Sequence, residues 1–249
     1  MAESMKGRTA LVTGAGMGIG KAIALAFAQE GANVVAADIS AQAGSETARL
    51  IGESGRFVAC DVSKEADVKA MVEATIKEFG RLDYACNNAG IHPQELATPI
   101  TETEEAFWYR IMDVNLKSVF LCMKHELRFM EKQGAGVIVN TASLAGLLCE
   151  PGFPLYTVAK HGVVGLTKAA AFEYVRKGIR VNAVCPSPVD TPMLQAAPQE
   201  VLDMLMAMLP MGRVARAEEV AGAVMYLCSD IASYQTGICL PIDGGVSLA

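Results

Sequence analysis

The sequence predicts a single doubly wound α/β fold in which a seven-stranded parallel sheet carries helices on both faces. Short apolar runs rich in valine, isoleucine and alanine alternate with longer amphipathic stretches along the chain. Runs of the first kind are typical of strands buried on both faces, and their alternation with helices favours right-handed crossovers. Because no repeat, low-complexity tract or linker interrupts this pattern, we expect one domain over residues 1–249.

The elements are predicted from these runs in chain order. The short apolar runs predict strands at 8–13, 33–38, 56–60, 82–87, 136–141, 179–185 and 238–242. The amphipathic stretches predict helices at 18–30, 41–54, 66–79, 104–132, 155–177 and 217–229. Three connections, at 89–103, 142–154 and 186–216, are longer than a crossover needs. They follow strands four to six, whose carboxyl ends border the ligand crevice of such a sheet, so we predict the functional site there.

Composition and charge exclude several classes of protein. Hydrophobic residues make up 52% of the chain, yet no apolar run reaches the roughly 18 residues that a membrane helix requires. Residues 1–8 contain no apolar signal core, so we expect a soluble, cytoplasmic protein without a membrane partner. The net charge of −6 argues against a nucleic-acid partner, because phosphate binding needs clustered positive charge.

Cysteine and histidine usage predicts neither disulfides nor a metal site. The seven cysteines form no C-x-x-C pair and are odd in number, which favours reduced thiols. The three histidines, His92, His125 and His161, lie in no H-E-x-x-H segment. We therefore expect chemistry that needs no metal ion.

A glycine-rich turn joins the first predicted strand to the first predicted helix. It reads Thr13-Gly14-Ala15-Gly16-Met17-Gly18-Ile19-Gly20. Glycines let the backbone approach a ligand closely, and a helix N-terminus offers N–H groups to a phosphate. Counted as G-x-G-x-x-G from Gly14, the third glycine position falls on Ile19, so the common dinucleotide fingerprint does not fit as written. The turn predicts a nucleotide site in a Rossmann-like sheet, with a purely structural turn as the alternative.

An acidic residue, Asp38, closes the second predicted strand 18 residues after Gly20. A carboxylate here can accept hydrogen bonds from the adenosine ribose and would repel a 2′-phosphate. No Arg or Lys lies at 37–41 or within the glycine turn. We therefore predict NAD rather than NADP, against the alternative that Asp38 only caps the next helix. Asp61 and Val62, after the third strand, would lie beside the adenine, although Asp61 could equally cap the following helix.

Tyr156 and Lys160 lie four residues apart in a predicted helix. Side chains at this spacing share one helix face, with Cβ atoms roughly 5–6 Å apart. A neighbouring ammonium favours phenolate, so the spacing predicts a Tyr156 pKa below its ordinary value of about 10. Such a phenol can exchange protons near neutral pH.

Taken together, these features resemble the short-chain dehydrogenase/reductase family over essentially the whole chain. The resemblance is carried by T-G-x-x-x-G-x-G at 13–20, N-N-A-G at 87–90, Asn115, Ser143 thirteen residues before Tyr156, and the Tyr156-x-x-x-Lys160 pair. Each motif alone is weak evidence, but five of them in the family's order are specific. The resemblance implies an oxidoreductase that interconverts a secondary alcohol and a ketone by hydride transfer with a nicotinamide cofactor.

The resemblance also implies a role for each of four catalytic residues. Tyr156 would be the general acid/base, and Lys160 would lower its pKa and hold the nicotinamide ribose. Ser143 would donate a hydrogen bond to the substrate oxygen, and Asn115 would hold a water in a proton relay to Lys160. The predicted cofactor-binding residues are Gly14, Met17, Gly18, Ile19, Gly20, Asp38, Ile39, Asp61, Val62, Asn88, Ala89, Gly90, Tyr156, Lys160, Pro186, Val189 and Thr191.

One segment departs from the family pattern. After the sixth strand the family usually has Pro-Gly, whereas this chain has Pro186-Ser187 and a further Pro188. Glycine reaches positive φ without a Cβ penalty and serine does not, so the conformation of this loop is an open question. Val189 and Thr191 still match the positions expected to contact the nicotinamide carboxamide.

The substrate side of the site is less well defined. The segment at about 191–216 is rich in methionine and leucine, which predicts a mobile lid over an apolar substrate; a packed helix or a subunit interface is the alternative. His92 could point into the same pocket or into solvent. Because no Arg or Lys cluster lies nearby, we expect a neutral, mostly apolar small-molecule alcohol or ketone.

The sequence also gives an expectation for assembly, and it leaves two alternative functions open. The helices at 104–132 and 155–177 carry more apolar residues than one sheet face needs, and relatives pair such helices between subunits, so a homotetramer is expected. One alternative is an NADPH-dependent ketoreductase such as a 3-oxoacyl-carrier-protein reductase. The other is a non-catalytic NAD-binding regulator, against which the presence of all four catalytic residues argues.

Overall fold

The central sheet lies within the described part of the chain, residues 5–92 and 98–248 of a computed structural model. Residues 1–4, 93–97 and 249 of the predicted domain, including part of the predicted 89–103 connection, lie outside it. The strands are β1 (Thr9–Thr13), β2 (Asn33–Asp38), β3 (Gly55–Ala59), β4 (Tyr84–Asn87), β5 (Gly136–Thr141), β6 (Ile179–Pro186), β7 (Val189–Asp190), β8 (Ala215–Arg216) and β9 (Cys239–Ile242). Strands β7 and β8 form a separate two-stranded sheet.

The other seven strands form one parallel sheet in the order β3-β2-β1-β4-β5-β6-β9. This confirms the predicted doubly wound sheet, and the strand boundaries shift by only one or two residues. From β1 the chain adds strands first on one side and then, starting with β4, on the other. A crevice forms outside the carboxyl ends of the strands at such a switch point, and ligands bind there in this class of fold.

Helices cover both faces of the sheet. They are α1 (Gly18–Gln29), α2 (Ala41–Ile51), α3 (Glu65–Phe79), α4 (Glu105–Met112), α5 (Ser118–Gln133), α6 (Pro154–Tyr174), α7 (Pro192–Gln195), α8 (Gln199–Met208) and α9 (Ala217–Cys228). Helices α1 and α9 bury Phe27 and Leu227 on one face. Helices α3, α5 and α6 bury Met71, Met130 and Val163 on the other. The two apolar layers hold the sheet and fix the positions of the loops at its carboxyl edge.

The predicted helix at 104–132 is confirmed as a continuous helical stretch, but it is not α-helical throughout. A π-helical turn at Asp113–Lys117 separates α4 from α5. The extra residue of a π turn rotates the following helix and redirects the side chains within it, and such turns are frequent at functional sites. Asn115 lies in this turn and is fully buried.

Three further features concern possible membrane spans, metal ligands and disulfides. No helix among the described residues is long and apolar enough to cross a membrane. Within the same residues, no three or more His, Cys, Asp or Glu side chains gather as metal ligands would. All seven cysteines are free thiols, and Cys149 is the exposed one.

Candidate active site

Thr13 joins the glycine turn to the segment that follows β4. Its Oγ1 accepts hydrogen bonds from the backbone N–H groups of Asn88 (3.0 Å) and Ala89 (3.1 Å). In return, Asn88 Nδ2 donates to the carbonyl oxygen of Thr13 at 3.2 Å. These bonds hold together the two loops on either side of the switch point. The motif includes Thr13, but the sequence alone assigns it no role.

The glycine turn is shaped for close backbone approach. Gly14 has φ +64°, and a Cβ there would lie 2.9 Å from the Cα of Ala89. A Cβ on Gly20 would collide with the carbonyl oxygen of Gly14. Helix α1 begins at Gly18, and its N-cap residue Met17 makes no side-chain capping bond. The first N–H groups of α1 are therefore not used by a cap, and the turn fits the phosphates of a dinucleotide.

Asp38 ties the end of β2 to the glycine turn. Its Oδ2 accepts a hydrogen bond from Gly16 N at 2.8 Å, and its Oδ1 accepts one from Ser40 N at 2.8 Å. The side chain that caps α2 is that of Ser40, which accepts from Ala43 N. Asp38 is therefore not the cap of α2, and its carboxylate lies beside the turn as predicted. Ile39 follows it as a largely exposed residue.

Asp61 has a mainly local structural role. Its Oδ1 accepts hydrogen bonds from the backbone N–H (3.1 Å) and the hydroxyl (2.6 Å) of Ser63, and Lys64 pairs with the other oxygen at 3.2 Å. The hydrogen bond from the Ser63 hydroxyl is the main reason that the Asp61 pKa lies below its ordinary value. The N-cap residue of α3 is Lys64, so Asp61 organises the turn before that helix without capping it. Val62, next in the chain, is buried.

Asn115 fixes the loop that follows the N-N-A-G segment. Its Nδ2 donates to the carbonyl oxygen of Ile91 and its Oδ1 accepts from the Ile91 N–H, both at 2.9 Å. A Cβ on Gly90 would lie 2.8 Å from Asn115 Oδ1 and 3.6 Å from Lys160 Nζ. Asn115, Gly90 and Lys160 are thus close neighbours, as the predicted proton path requires.

Ser143, Tyr156 and Lys160 meet at the carboxyl ends of β5 and β6. Ser143 follows β5, and its Oγ accepts a hydrogen bond from Ala145 N at 3.1 Å. Tyr156 lies in the first turn of α6, and its interaction with the Ser143 side chain lowers the Tyr156 pKa against the effect of burial. Lys160 Nζ lies 5.6 Å from the centre of the Tyr156 ring and donates to the Thr141 carbonyl oxygen at 3.0 Å. The structure therefore brings the predicted catalytic residues together.

The predicted direction of the Tyr156 pKa shift is wrong. Burial of the phenol raises the Tyr156 pKa, the charge of Glu150 raises it further, and the interaction with Ser143 opposes both. Burial also lowers the pKa of Lys160 to about 8. The helical spacing correctly places the ammonium near the phenol, but it carries no information about how much water the fold removes from both groups.

The loop after β6 accommodates Ser187 through a backbone bond. The Ser187 N–H donates to the carbonyl oxygen of Ile242 at 3.1 Å, which continues the pairing of β6 with β9 beyond Pro186. Val189 is buried in β7. Thr191 caps α7, and a Cβ on Gly18 would lie 3.1 Å from its methyl carbon. The loop thus reaches the glycine turn across the crevice.

His92 packs against Tyr156 and is largely shielded from solvent, which favours the first of its two predicted positions. Its ring centre is 4.6 Å from that of Tyr156, and its Nε2 lies 3.1 Å from Glu150 Oε1. Glu150 is a residue that the sequence analysis missed. Its partner is 58 positions away in the chain, and no motif or periodicity links the two.

Comparison with known proteins agrees with this geometry. A family model described as enoyl-(acyl carrier protein) reductase matches residues 14–247. A cis-4-hydroxycyclohexanecarboxylate dehydrogenase from Sinomonas cyclohexanicum is 42% identical, with 98% of each chain covered. A 2,5-dichloro-2,5-cyclohexadiene-1,4-diol dehydrogenase from Sphingobium indicum is 44% identical, again with 98% of each chain covered.

A solved structure extends the likeness to three dimensions. A 3-ketoacyl-(acyl-carrier-protein) reductase from Brucella melitensis, complexed with NADH, superposes with a TM-score of 0.91 at 37% identity, covering 98% of this chain and all of the other. Sequence, fold and site geometry therefore agree. The chain belongs to the short-chain dehydrogenase/reductase family, whose oxidoreductases bind a nicotinamide cofactor.

Proposed function

We propose that the protein is an NAD(H)-dependent oxidoreductase that interconverts a secondary alcohol and a ketone on a small, mostly apolar molecule. The observation that carries the proposal is the meeting of Ser143, Tyr156 and Lys160 at the carboxyl ends of β5 and β6. A phenol that interacts with a hydroxyl and lies beside a buried ammonium is suited to general acid/base catalysis at a substrate oxygen.

Each residue has a proposed task in the proton transfer. Tyr156 takes the hydroxyl proton during oxidation and returns it to the carbonyl oxygen during reduction. Ser143 donates a hydrogen bond to that oxygen as negative charge develops on it. Lys160, held by Thr141, stabilises the phenolate that Tyr156 becomes, and Asn115 fixes the loop beside Lys160. The bound nicotinamide would supply or accept the hydride.

Asp38 supports NAD as the cofactor. Its carboxylate lies at the carboxyl end of β2 against Gly16, where it would repel a 2′-phosphate. No lysine or arginine lies at 37–41 or in the turn at 13–20 to attract that phosphate. We expect oxidation with NAD⁺ to be far faster than with NADP⁺ at equal concentrations. Comparable rates with the two cofactors would refute this part of the proposal.

The substrate is proposed to be neutral and cyclic. The two relatives are named for dehydrogenation of ring-borne hydroxyl groups. Acidic side chains, Glu102 and Glu104, line the cavity that reaches Tyr156. A carboxylate on the substrate would be repelled there. The exposed methionines of the 191–216 segment, Met193 and Met208 among them, support its proposed role as an apolar lid.

Exposed apolar side chains support assembly into a homotetramer. On α4, α5 and α6 these are Trp108, Tyr109, Phe120, Val158 and Phe172, and Phe172 is 89% exposed. Apolar surface of this extent is typical of subunit contacts. Light scattering should give the mass of four chains of 26.3 kDa, and a monomer would contradict the proposal.

The main test is the Tyr156→Phe variant in an assay that follows NADH absorbance with cyclohexanol as substrate. Because the variant keeps the ring but loses the transferable proton, we expect kcat to fall by about 10²-fold to 10⁴-fold. NADH binding, measured by fluorescence, should remain close to wild type. Retained turnover would refute the assignment of Tyr156. In the same assay, 4-hydroxycyclohexanecarboxylate should react more slowly than cyclohexanol.

A second candidate is a 3-oxoacyl-thioester ketoreductase that uses NADPH. This candidate reaction is favoured by the name of the Brucella melitensis relative, whose structure nevertheless holds NADH. It requires the same proton transfer at Tyr156, so the Phe variant does not separate the two functions. Reduction of acetoacetyl-thioesters with NADPH at a rate above that of cyclohexanone with NADH would favour this candidate.

A further inference from the structure

His92 is in direct contact with the proposed general acid/base. Its imidazole packs against two aromatic rings, with centre-to-centre distances of 4.6 Å to both Phe153 and Tyr156. The His92 and Tyr156 rings meet edge to face at an interplanar angle of 67°. This geometry is favourable for aromatic pairs and restricts rotation of the tyrosine ring. His92 therefore influences the orientation of the Tyr156 phenol.

One hydrogen bond holds the His92 ring in this place. Nε2 lies 3.1 Å from Glu150 Oε1, and since a carboxylate only accepts, Nε2 carries the hydrogen. The other ring nitrogen, Nδ1, is buried and has no partner among the described residues 5–92 and 98–248. The backbone of the preceding Ile91 is fixed on both sides by Asn115. The orientation of the imidazole therefore depends on Glu150.

Glu150 is itself attached to the helix that carries Tyr156. Its backbone N–H donates to Thr157 Oγ1 at 3.1 Å, and its carbonyl oxygen accepts from Phe153 N at 3.2 Å. The Glu150 side chain is about one third exposed. These contacts form a closed chain from Glu150 through His92 to Tyr156 and back through α6.

The charges around Tyr156 come from several elements. Glu150 is hydrogen-bonded to His92, Lys160 lies one turn along α6, and the hydrogen bond with Cys239 and burial raise the pKa of Cys185 on β6, so that its thiol stays neutral. Glu102 and Glu104, before α4, line the cavity of about 170 Å³ that reaches Tyr156. Burial raises the Tyr156 pKa most, and Glu150 is the largest charge effect upon it. Glu150 is therefore the acid whose removal should change Tyr156 most.

We propose that His92 and Glu150 form a positioning pair for Tyr156, which orients its ring and sets the pH range in which it works. The inference rests on the proposed function, because it takes Tyr156 as the general acid/base. Neither residue transfers a proton to or from the substrate. The carboxylate orients the imidazole, the imidazole holds the phenol, and the negative charge disfavours phenolate.

The test is the pH profile of kcat for alcohol oxidation in Glu150→Gln. Glutamine keeps an acceptor for His92 Nε2 but removes the charge. Oxidation needs phenolate, so its rate rises with pH through the Tyr156 pKa. We expect this rise to move to lower pH by roughly half a unit to one unit in the variant. The control Glu53→Gln, which removes an exposed charge before β3, should leave the profile in place.

A second variant separates positioning from charge. His92→Phe keeps an aromatic ring against Phe153 and Tyr156 but breaks the link to Glu150. We expect the profile to move in the same direction by a smaller amount, with kcat several-fold lower. The double variant should move no further than Glu150→Gln alone, because the two residues act as one unit.

The outcomes distinguish this inference from the proposed function. An unmoved profile in Glu150→Gln, a move to higher pH, or additive effects in the double variant would each overturn the positioning pair. If Tyr156→Phe keeps its activity, the proposed function itself fails, whatever Glu150→Gln does. Thermal melting of each variant shows whether it is folded.

Discussion

The two halves of the sheet build their parts of the site by different means. In the half containing β1–β3, the site is made of backbone, with glycines packed against carbonyl groups and Asp38 bonded to two amides. In the half containing β4–β6, it is made of buried polar side chains, with Asn115 and Lys160 both withdrawn from water. The first arrangement brings the backbone close to a ligand. The second lowers stability because polar groups are removed from water, but the same removal makes these groups chemically reactive.

The largest effect is expected when Lys160 is replaced by methionine, which has a similar volume, because activity and stability should then change in different ways. Without the ammonium that stabilises phenolate, we expect kcat to fall by about 10²-fold or more. The melting temperature should stay the same or rise, because a buried charge is removed and only the hydrogen bond to Thr141 is lost. The catalytic half would then lose activity without losing stability.

The effect of Lys160→Met on the melting temperature depends on pH, and the Lys160 pKa gives its direction. Lys160 has a pKa of about 8 in the folded protein, below its ordinary 10.5. Between these two pKa values the unfolded chain binds more protons than the folded protein, so Lys160 makes the stability rise with pH. The stability lost by burying the ammonium is therefore fully present below pH 8. Lys160→Met should therefore gain more in melting temperature at about pH 7 than at about pH 10. Lys132→Met, at an exposed position of α5, should show no such difference. An equal gain for Lys160→Met at both pH values would contradict the cost assigned to burying the Lys160 ammonium.

The sequence predicts the half containing β1–β3 better than the half containing β4–β6, because the first depends on local spacing and the second on burial and distant contacts. The doubly wound sheet follows from the alternating apolar runs and is confirmed, and the glycine turn and Asp38, which follow from local spacing, lie next to each other in the structure. The π turn at Asp113–Lys117 contains Asn115, which bonds to Ile91, 24 residues earlier, whereas local propensity alone predicts α-helix there. The rise in the Tyr156 pKa and the contact of His92 with Glu150 depend on tertiary burial and on distant residues, and no spacing encodes them.

A smaller effect is expected in the cofactor half from Gly20→Ala. The new Cβ would collide with the carbonyl oxygen of Gly14, so the turn must move. We expect a loss of about 1–3 kcal/mol in the free energy of unfolding, together with weaker NADH binding. Binding by fluorescence titration and unfolding in urea measure the two. Here stability and function should fall together, in contrast to Lys160→Met.

Gly222→Ala is the matched control for this substitution. Gly222 lies within α9, and a Cβ added there would have no heavy atom of another element within 4 Å. Alanine at this position should stabilise the helix by about 0.5–1 kcal/mol and leave NADH binding unchanged. If Gly20→Ala behaved like this control, the glycine turn would not depend on close backbone packing.

The smallest effect is expected at Glu126, a fully buried acid on α5 behind the N-N-A-G segment. Its Oε2 accepts a hydrogen bond from Asn87 Nδ2 at 3.0 Å, and among the described residues its Oε1 has no partner. Burial raises the pKa of Glu126 from 4.5 to about 7, while the bond from Asn87 opposes the rise. Between these values the folded protein binds more protons than the unfolded chain, so this group makes stability fall as pH rises to about 7.

Glu126→Gln tests whether burying this carboxylate lowers the stability of the protein, as burying the Lys160 ammonium is expected to do. The neutral amide has the same shape, so the melting temperature should match wild type near about pH 5 and exceed it by a few degrees at about pH 8. Glu131→Gln is the control. It breaks the exposed ion pair between Glu131 on α5 and Lys177, and it should change the melting temperature by a small amount that is alike at both pH values. A pH-independent effect at Glu126 would mean that the catalytic half tolerates this acid without cost, and the desolvation penalty would then be confined to Lys160 and Tyr156.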